Sequence, residues 1–137
     1  MEDRLMALLS GTRNGVLTTI KRDGRPQLSN VSYTFTDGVV RVSVTAGRAK
    51  VANLRRDPRA SFYVCAPDFR SYVVAEGTAR LTAVAKDPQD ETVEELVDVY
   101  RGITGEHPDW DEYREAMVND ARLVIRLPVT RIYGAIV

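Results

Sequence analysis

Polar and apolar residues alternate through much of the chain between residues 15 and 83, and the longer stretches of helical spacing come after residue 87. Leu5, Leu8 and Leu9 share one face of a few amphipathic turns that end at Ser10-Gly11. Gly15-Val16-Leu17-Thr18-Thr19-Ile20-Lys21 then reads as a β-branched strand. Asp23-Gly24 marks a hairpin, because glycine readily takes positive φ, and the return strand runs from Pro26 to Phe35. Val31, Tyr33 and Phe35 alternate there with Ser32 and Thr34. A second turn at Asp37-Gly38 leads into Val39 to Thr45, where Val40, Val42 and Val44 lie on one face. Together these predict a three-stranded antiparallel meander.

Further strands are expected at Arg59 to Cys65, at Ser71 to Ala83, and from Leu123 past Pro128 to Gly134. A short helix fits between Arg48 and Asp57-Pro58. Asp87-Pro88 supplies an N-cap and a first-turn proline for a helix burying Val93, Leu96, Val97 and Tyr100, which Gly102 and Gly105 end. Pro108-Asp109-Trp110 opens a second helix with Trp110, Tyr113 and Met117 as its stripe. The pattern therefore predicts a single mainly β (α+β) domain over residues 1–137. It has six antiparallel strands closed into a barrel, a short helix after strand three and two helices before the last strand.

Composition narrows the function. The 137 residues carry 19 basic and 19 acidic side chains, a formal net charge of zero. A polymer of nucleic acid asks for a broad basic surface, so a nucleic-acid partner is not expected. The charged start Met1-Glu2-Asp3-Arg4 and the short apolar run after it predict neither a leader nor a membrane span, and a cytoplasmic protein. The single cysteine, Cys65, cannot form an internal disulfide and is expected to be a buried, inert thiol in a strand. His107, the only histidine, falls in a turn between helices, which disfavours a histidine triad or metal site. No phosphate-loop or nucleophile-elbow motif occurs, so no catalytic side chain and no metal are expected. Any redox chemistry would come from a bound cofactor.

Positive charge is instead concentrated locally. Residues 48–59 hold Arg48, Lys50, Arg55, Arg56 and Arg59 against the lone Asp57. A strand that delivers Arg and Lys into a helix start suits a phosphate or other compact anion, through backbone N–H groups, the helix dipole and the guanidinium fork. Arg55 and Arg56 point about 100° apart on a helix, so one of them is expected to pair with a carboxylate such as Glu94 or Asp98.

In order along the chain, Gly15-Val16-Leu17-Thr18-Thr19, Gly24-Arg25-Pro26-Gln27-Leu28-Ser29-Asn30, Arg48-Ala49-Lys50, Asn53-Leu54-Arg55-Arg56-Asp57-Pro58-Arg59 and Ala75-Glu76-Gly77-Thr78-Ala79 resemble the flavin/deazaflavin oxidoreductases. These share the pyridoxamine 5'-phosphate oxidase-like split β-barrel, and the likeness is strongest to the small actinobacterial branch that uses the deazaflavin coenzyme F420. The resemblance implies a homodimer with cofactor sites at the subunit interface, F420 as cofactor (FMN as the alternative), and a small-molecule substrate. Carried onto this sequence, Arg48 and Lys50 would grip the cofactor phosphate and Asn53 would hydrogen-bond nearby. Gln27, Ser29 and Asn30 would line the ring and ribityl side from strand two, and Ser43 from strand three. The loop around Phe69, Arg70 and Tyr72 would reach toward the ring, with Arg70 where an aromatic is expected. The implied reaction is hydride transfer from reduced deazaflavin to a conjugated acceptor. Other readings are an FMN-dependent reductase or oxidase, and a carrier without turnover.

Overall fold

Both Asp-Gly pairs turn the chain as their chemistry dictates. Gly24 adopts φ 89°, and Asp37 and Gly38 adopt φ 53° and 76°, positive at two successive positions as a tight twisted hairpin requires. The computed structural model describes residues 2–137. The chain forms α1 (Glu2–Ser10), β1 (Asn14–Ile20), β2 (Pro26–Ser32), β3 (Thr34–Thr36), β4 (Val39–Thr45), α2 (Ala49–Arg56) and β5 (Arg59–Cys65). After these come β6 (Tyr72–Thr78), β7 (Arg80–Leu81), α3 (Glu91–Thr104), α4 (Trp110–Asn119), β8 (Arg122–Pro128) and β9 (Arg131–Ala135).

The mainly β, α+β class holds, but the six expected strands become nine. They form two antiparallel sheets, ordered β2-β1-β5-β6-β9 and β3-β4-β8-β7, and the barrel is not closed. Three of the long strands break where they pass from one sheet to the other. The first break is at Tyr33, so the meander is not one sheet: β2 stays with β1 while β3 pairs with β4. Tyr33 is fully buried, donates its hydroxyl to the carbonyl of Leu9 and meets Phe62 edge-on at 4.6 Å. A ring anchored in the core turns the backbone between layers, which alternation alone does not reveal. The second break is at Ala79 and the third at Val129-Thr130, whose amides bond Gly38 O and Glu76 O across the two sheets. At that crossing a Cβ on Gly77 would lie 2.1 Å from the Pro128 carbonyl, so only glycine lets the chains approach.

The helices also differ in detail. The first amphipathic turns are a full nine-residue helix that buries Leu5 and Leu9. The N-cap of α3 is Asp90, whose carboxylate accepts from the Val93 amide, rather than Asp87. Asp87 instead holds the preceding turn through the Gln89 amide. Gly102 lies inside α3, and Gly105 alone ends it, at φ 99°. Helix α3 is tied to the second sheet by Glu95, which accepts from Arg41 at 3.1 Å and Arg126 at 2.8 Å. Those arginines, Arg126 foremost, hold the Glu95 carboxyl below its ordinary range. Tyr113 and Met117 are buried beneath α4, and His107 packs among Tyr100, Trp110 and Tyr113 while its Nδ1 accepts from the Asp109 amide. Among the described residues no helix is long and apolar enough to cross a membrane.

Burial raises the hydroxyl pKa of Tyr33 and of Tyr113 to about 12. An unfolded tyrosine ionises near 10, so each ring's contribution is complete below pH 10 and is lost as pH rises through about 12. The two-unit shift corresponds to about 2–3 kcal/mol per ring. Urea unfolding midpoints should fall steeply between pH 10 and 12, and Tyr33→Phe should remove about half of that fall. An unchanged alkaline profile in Tyr33→Phe would show that Tyr33 is not the titrating group.

Candidate functional site: the basic start of helix α2

Strand β4 places its valines in the core and runs directly into α2. The Arg48 amide donates to Thr45 O at 3.1 Å, and the Ala46 amide donates to Ala121 O at 2.9 Å, pinning the turn against the start of β8. Arg48 is the N-cap of α2, in extended backbone conformation, and no side chain caps the helix. Serine, threonine or aspartate at that position would accept from the first-turn amides; arginine has no acceptor to offer. The helix start is thus left as a set of donors under a positive dipole end.

The helix buries Val51, Asn53 and Leu54 and exposes Arg48, Ala52 and Arg55. Lys50 is half-buried. Desolvation, and then repulsion from Arg48, hold its ammonium below its ordinary pKa. Among the described residues neither Arg48 nor Lys50 has an ion pair or a side-chain hydrogen bond. Two neighbouring cations without a counter-charge are what an anionic ligand would relieve.

Two other arginines of the segment, Arg56 and Arg59, are occupied, while Arg55 is exposed and has no side-chain partner among the described residues. Arg56 donates to Ile20 O at 2.6 Å and to Asn53 Oδ1 at 3.1 Å. Arg59 clasps Asp57 through bonds of 3.0 and 2.8 Å, which brings that carboxyl down to about 2. The expected pairing of Arg55 or Arg56 with Glu94 or Asp98 does not occur: Glu94 pairs with Arg114 at 2.7 Å, and Arg56 turns toward β1. Packing of α2 on β1 puts the α3 carboxylates behind the other sheet.

Asn53 is 7% exposed and fully engaged. Its Nδ2 donates to Thr19 Oγ1 at 3.1 Å and to Gln27 Oε1 at 2.6 Å, while its Oδ1 serves Arg56. It therefore clips α2 to both strands of the first hairpin. Gln27 and Ser29 lie opposite Thr19 and Leu17, both buried, on the core side of β2. Asn30 lies opposite Val16 on the other face, as strand alternation requires. Ser43 lies opposite Val124, which packs under α3 and α4, and accepts from Arg122 Nη1 at 3.2 Å. The structure thus links Gln27 to Asn53 on α2, with Ser29 on the same strand face, and turns Asn30 and Ser43 elsewhere. Cys65 is half-buried rather than buried, at the edge of a separate cleft. Arg56, for which the sequence offered a carboxylate on the later helix as partner, bonds Asn53 and β1 instead; its spacing of three from Asn53 on a helix was the available signal.

A family model described as pyridoxamine 5'-phosphate oxidase matches residues 1–135, so the chain belongs to that family, within the split β-barrel flavin/deazaflavin superfamily. Among solved structures it is similar to a conserved hypothetical protein of Mycobacterium tuberculosis. The two are 28% identical, with a TM-score of 0.77 and coverage of 98% of this chain and 83% of the other. It is also similar to an F420 reductase at 25% identity and TM-score 0.65, covering 93% and 94% of the two chains. A FAD-binding protein from Mesorhizobium loti, at 14% identity, TM-score 0.68 and coverage of 98% and 93%, shares the fold.

Proposed function

We propose that this protein is an F420-dependent oxidoreductase acting on a conjugated small molecule. The observation that carries this reading is the uncapped, unpaired basic start of α2, beside the hairpin that Asn53 fixes in place. It suits the phosphate of a cofactor: first-turn amides and Arg48 donate hydrogen bonds, and Lys50 adds a point charge from the half-buried side. Similarity to an F420 reductase supports deazaflavin as the cofactor. When bound, reduced deazaflavin would supply a hydride from its ring C5 to an enone, quinone or biliverdin-like acceptor. The chain's own part is binding and orientation, with Gln27 and Ser29 on the strand face beside α2.

The active form in this reading is a homodimer. Helices α3 and α4 pack on the second sheet, while the outer face of the first sheet leaves Leu28 64% and Tyr133 49% exposed. A second copy would cover such side chains.

Parallel equilibrium titrations with F420 and with FMN, at matched ionic strength, test the proposal. Tighter binding of F420, together with oxidation of its separately reduced form as a quinone is reduced, supports it. Tighter binding of FMN moves the protein to flavin chemistry on the same site. Binding of neither removes both readings.

A further inference from the structure

Both hairpins that Asp-Gly closes are exposed, but their surroundings differ. At the first, between β1 and β2, the Gly24 amide donates to Lys21 O at 2.9 Å. The Asp23 carboxylate is engaged as well: its Oδ1 accepts from the Arg25 amide at 3.0 Å, and its other oxygen lies 4.0 Å from Arg25 Nε. At the second, between β3 and β4, the Asp37 carboxylate accepts no hydrogen bond and forms no ion pair among the described residues. Arg41, in the cleft beside this turn, gives its guanidinium to Thr36 and Glu95 instead.

The peptide unit that joins Asp37 to Gly38 is bonded at neither its carbonyl nor its amide. Gly38 O, which belongs to the next peptide unit, accepts from the Val129 amide at 2.9 Å. Asp37 also holds φ 53°, where a side chain is under strain, so a reaction that leaves this conformation releases that strain. A free carboxylate, a free amide nitrogen and a following residue with no Cβ to shield that nitrogen are the conditions under which such a unit reacts with itself.

We propose that Asp37-Gly38 is a site of spontaneous covalent modification, at which Asp37 converts through a cyclic imide to isoaspartate. The Gly38 nitrogen attacks Asp37 Cγ. A Cγ–N bond forms, a Cγ–O bond breaks, and the amide proton departs with the carboxyl hydroxyl as one water. Water then opens the ring. Opening at Cγ returns aspartate. Opening at the main-chain carbonyl leaves the chain running through Cβ and Cγ, with the former main-chain carbonyl as a free carboxylate. One water is lost and one is regained, and no oxidant or reductant takes part.

Hydrogen bonds decide which of the two turns reacts. Each exposed bond that must break first slows the attack by about 3-fold. Asp23-Gly24 has two such bonds and Asp37-Gly38 has none, so the second turn should react about 10-fold faster. The product has one more main-chain carbon in a two-residue turn, which draws Gly38 O away from Val129 N and loosens the crossing between the sheets. None of these residues belongs to the site at α2, so the inference does not depend on the cofactor assignment.

The test holds the native protein at neutral pH beside a sample unfolded in guanidinium chloride, with aliquots taken over time. Chymotrypsin separates the two aspartates by cleaving after Tyr33 and Phe35, and electron-transfer fragmentation distinguishes isoaspartate from aspartate at each. The unfolded chain gives the intrinsic ratio of the two rates, and folding should shift that ratio toward Asp37 by about 10-fold. Asp37→Asn, which closes the same ring by losing ammonia, should convert faster than wild type. Asp37→Gly, which keeps the positive φ of the turn, should leave only Asp23 to convert. A ratio that folding leaves unchanged or shifts toward Asp23 overturns the proposal. So does native Asp37 that stays aspartate while the unfolded chain converts.

Discussion

Replacing Arg48 and Lys50 together by alanine is expected to lower cofactor affinity about 100-fold while the fold persists. A hydrogen bond to a charged group contributes roughly 1.5–3 kcal/mol. Both side chains are partly in water, so the low end applies to each and the pair sums to about 3 kcal/mol. Neither residue bonds another side chain, so their removal should leave the urea midpoint nearly unchanged or raise it by relieving Arg48–Lys50 repulsion. Titration with F420 and FMN at two salt concentrations checks this. The wild type should lose affinity with added salt, and the variant should respond less. The pH dependence has a definite sign. Lys50 deprotonates below its ordinary pKa of 10.5, so anion affinity should begin to fall at a lower pH than a fully solvated lysine would give. A bound anion should restore the ammonium and delay that fall. Undiminished binding in the double variant would place the phosphate elsewhere.

Asn53→Ala should be the most damaging single change near the site. It leaves the Thr19 hydroxyl, which is fully buried, without its donor, and it frees Gln27 Oε1 and Arg56 from their shared partner. Each buried polar group left unpaired costs about 1–3 kcal/mol, and solvent reaches Gln27 and Arg56, so the expected total is about 2–4 kcal/mol. Because the clip sets where α2 begins relative to β2, cofactor affinity should fall with stability. Chemical unfolding and titration of the same variant separate two roles for Asn53. Parallel losses identify a positioning residue. Lost binding with an unchanged unfolding midpoint would mean that Asn53 touches the ligand directly.

The residues of those two variants differ in how far the candidate site was legible in the sequence. Arg48 and Lys50 stood out because charge density is a local property, read over a few consecutive residues. Asn53 was flagged by its place one turn after Lys50, but its partners Thr19 and Gln27 lie more than 25 residues earlier along the chain. No local pattern announces that its amide is already satisfied. Ser29 and Asn30 illustrate a simpler limit: neighbours on a strand face opposite ways, so only one of them can share a face with Gln27. Ser43 needed the register of β4 against β8, which puts it beneath the helix layer.

What the sequence determined by itself was local. The two Asp-Gly turns, the β-branched strands, the stripes of α3 and α4 and the basic segment all follow from backbone preference and periodicity over a handful of residues. What only the tertiary structure decided was the assignment of strands to sheets and of side chains to partners. Tyr33, Ala79 and Val129-Thr130 sit inside or between stretches whose alternation continues unbroken, and core packing and cross-sheet hydrogen bonds turn the chain there. The cleft beside Cys65 likewise joins residues from α1 to the β5–β6 loop, brought together by pairing of β1 with β2 and β5. Such placements depend on contacts between distant segments, whose energies appear only once the chain has closed on itself.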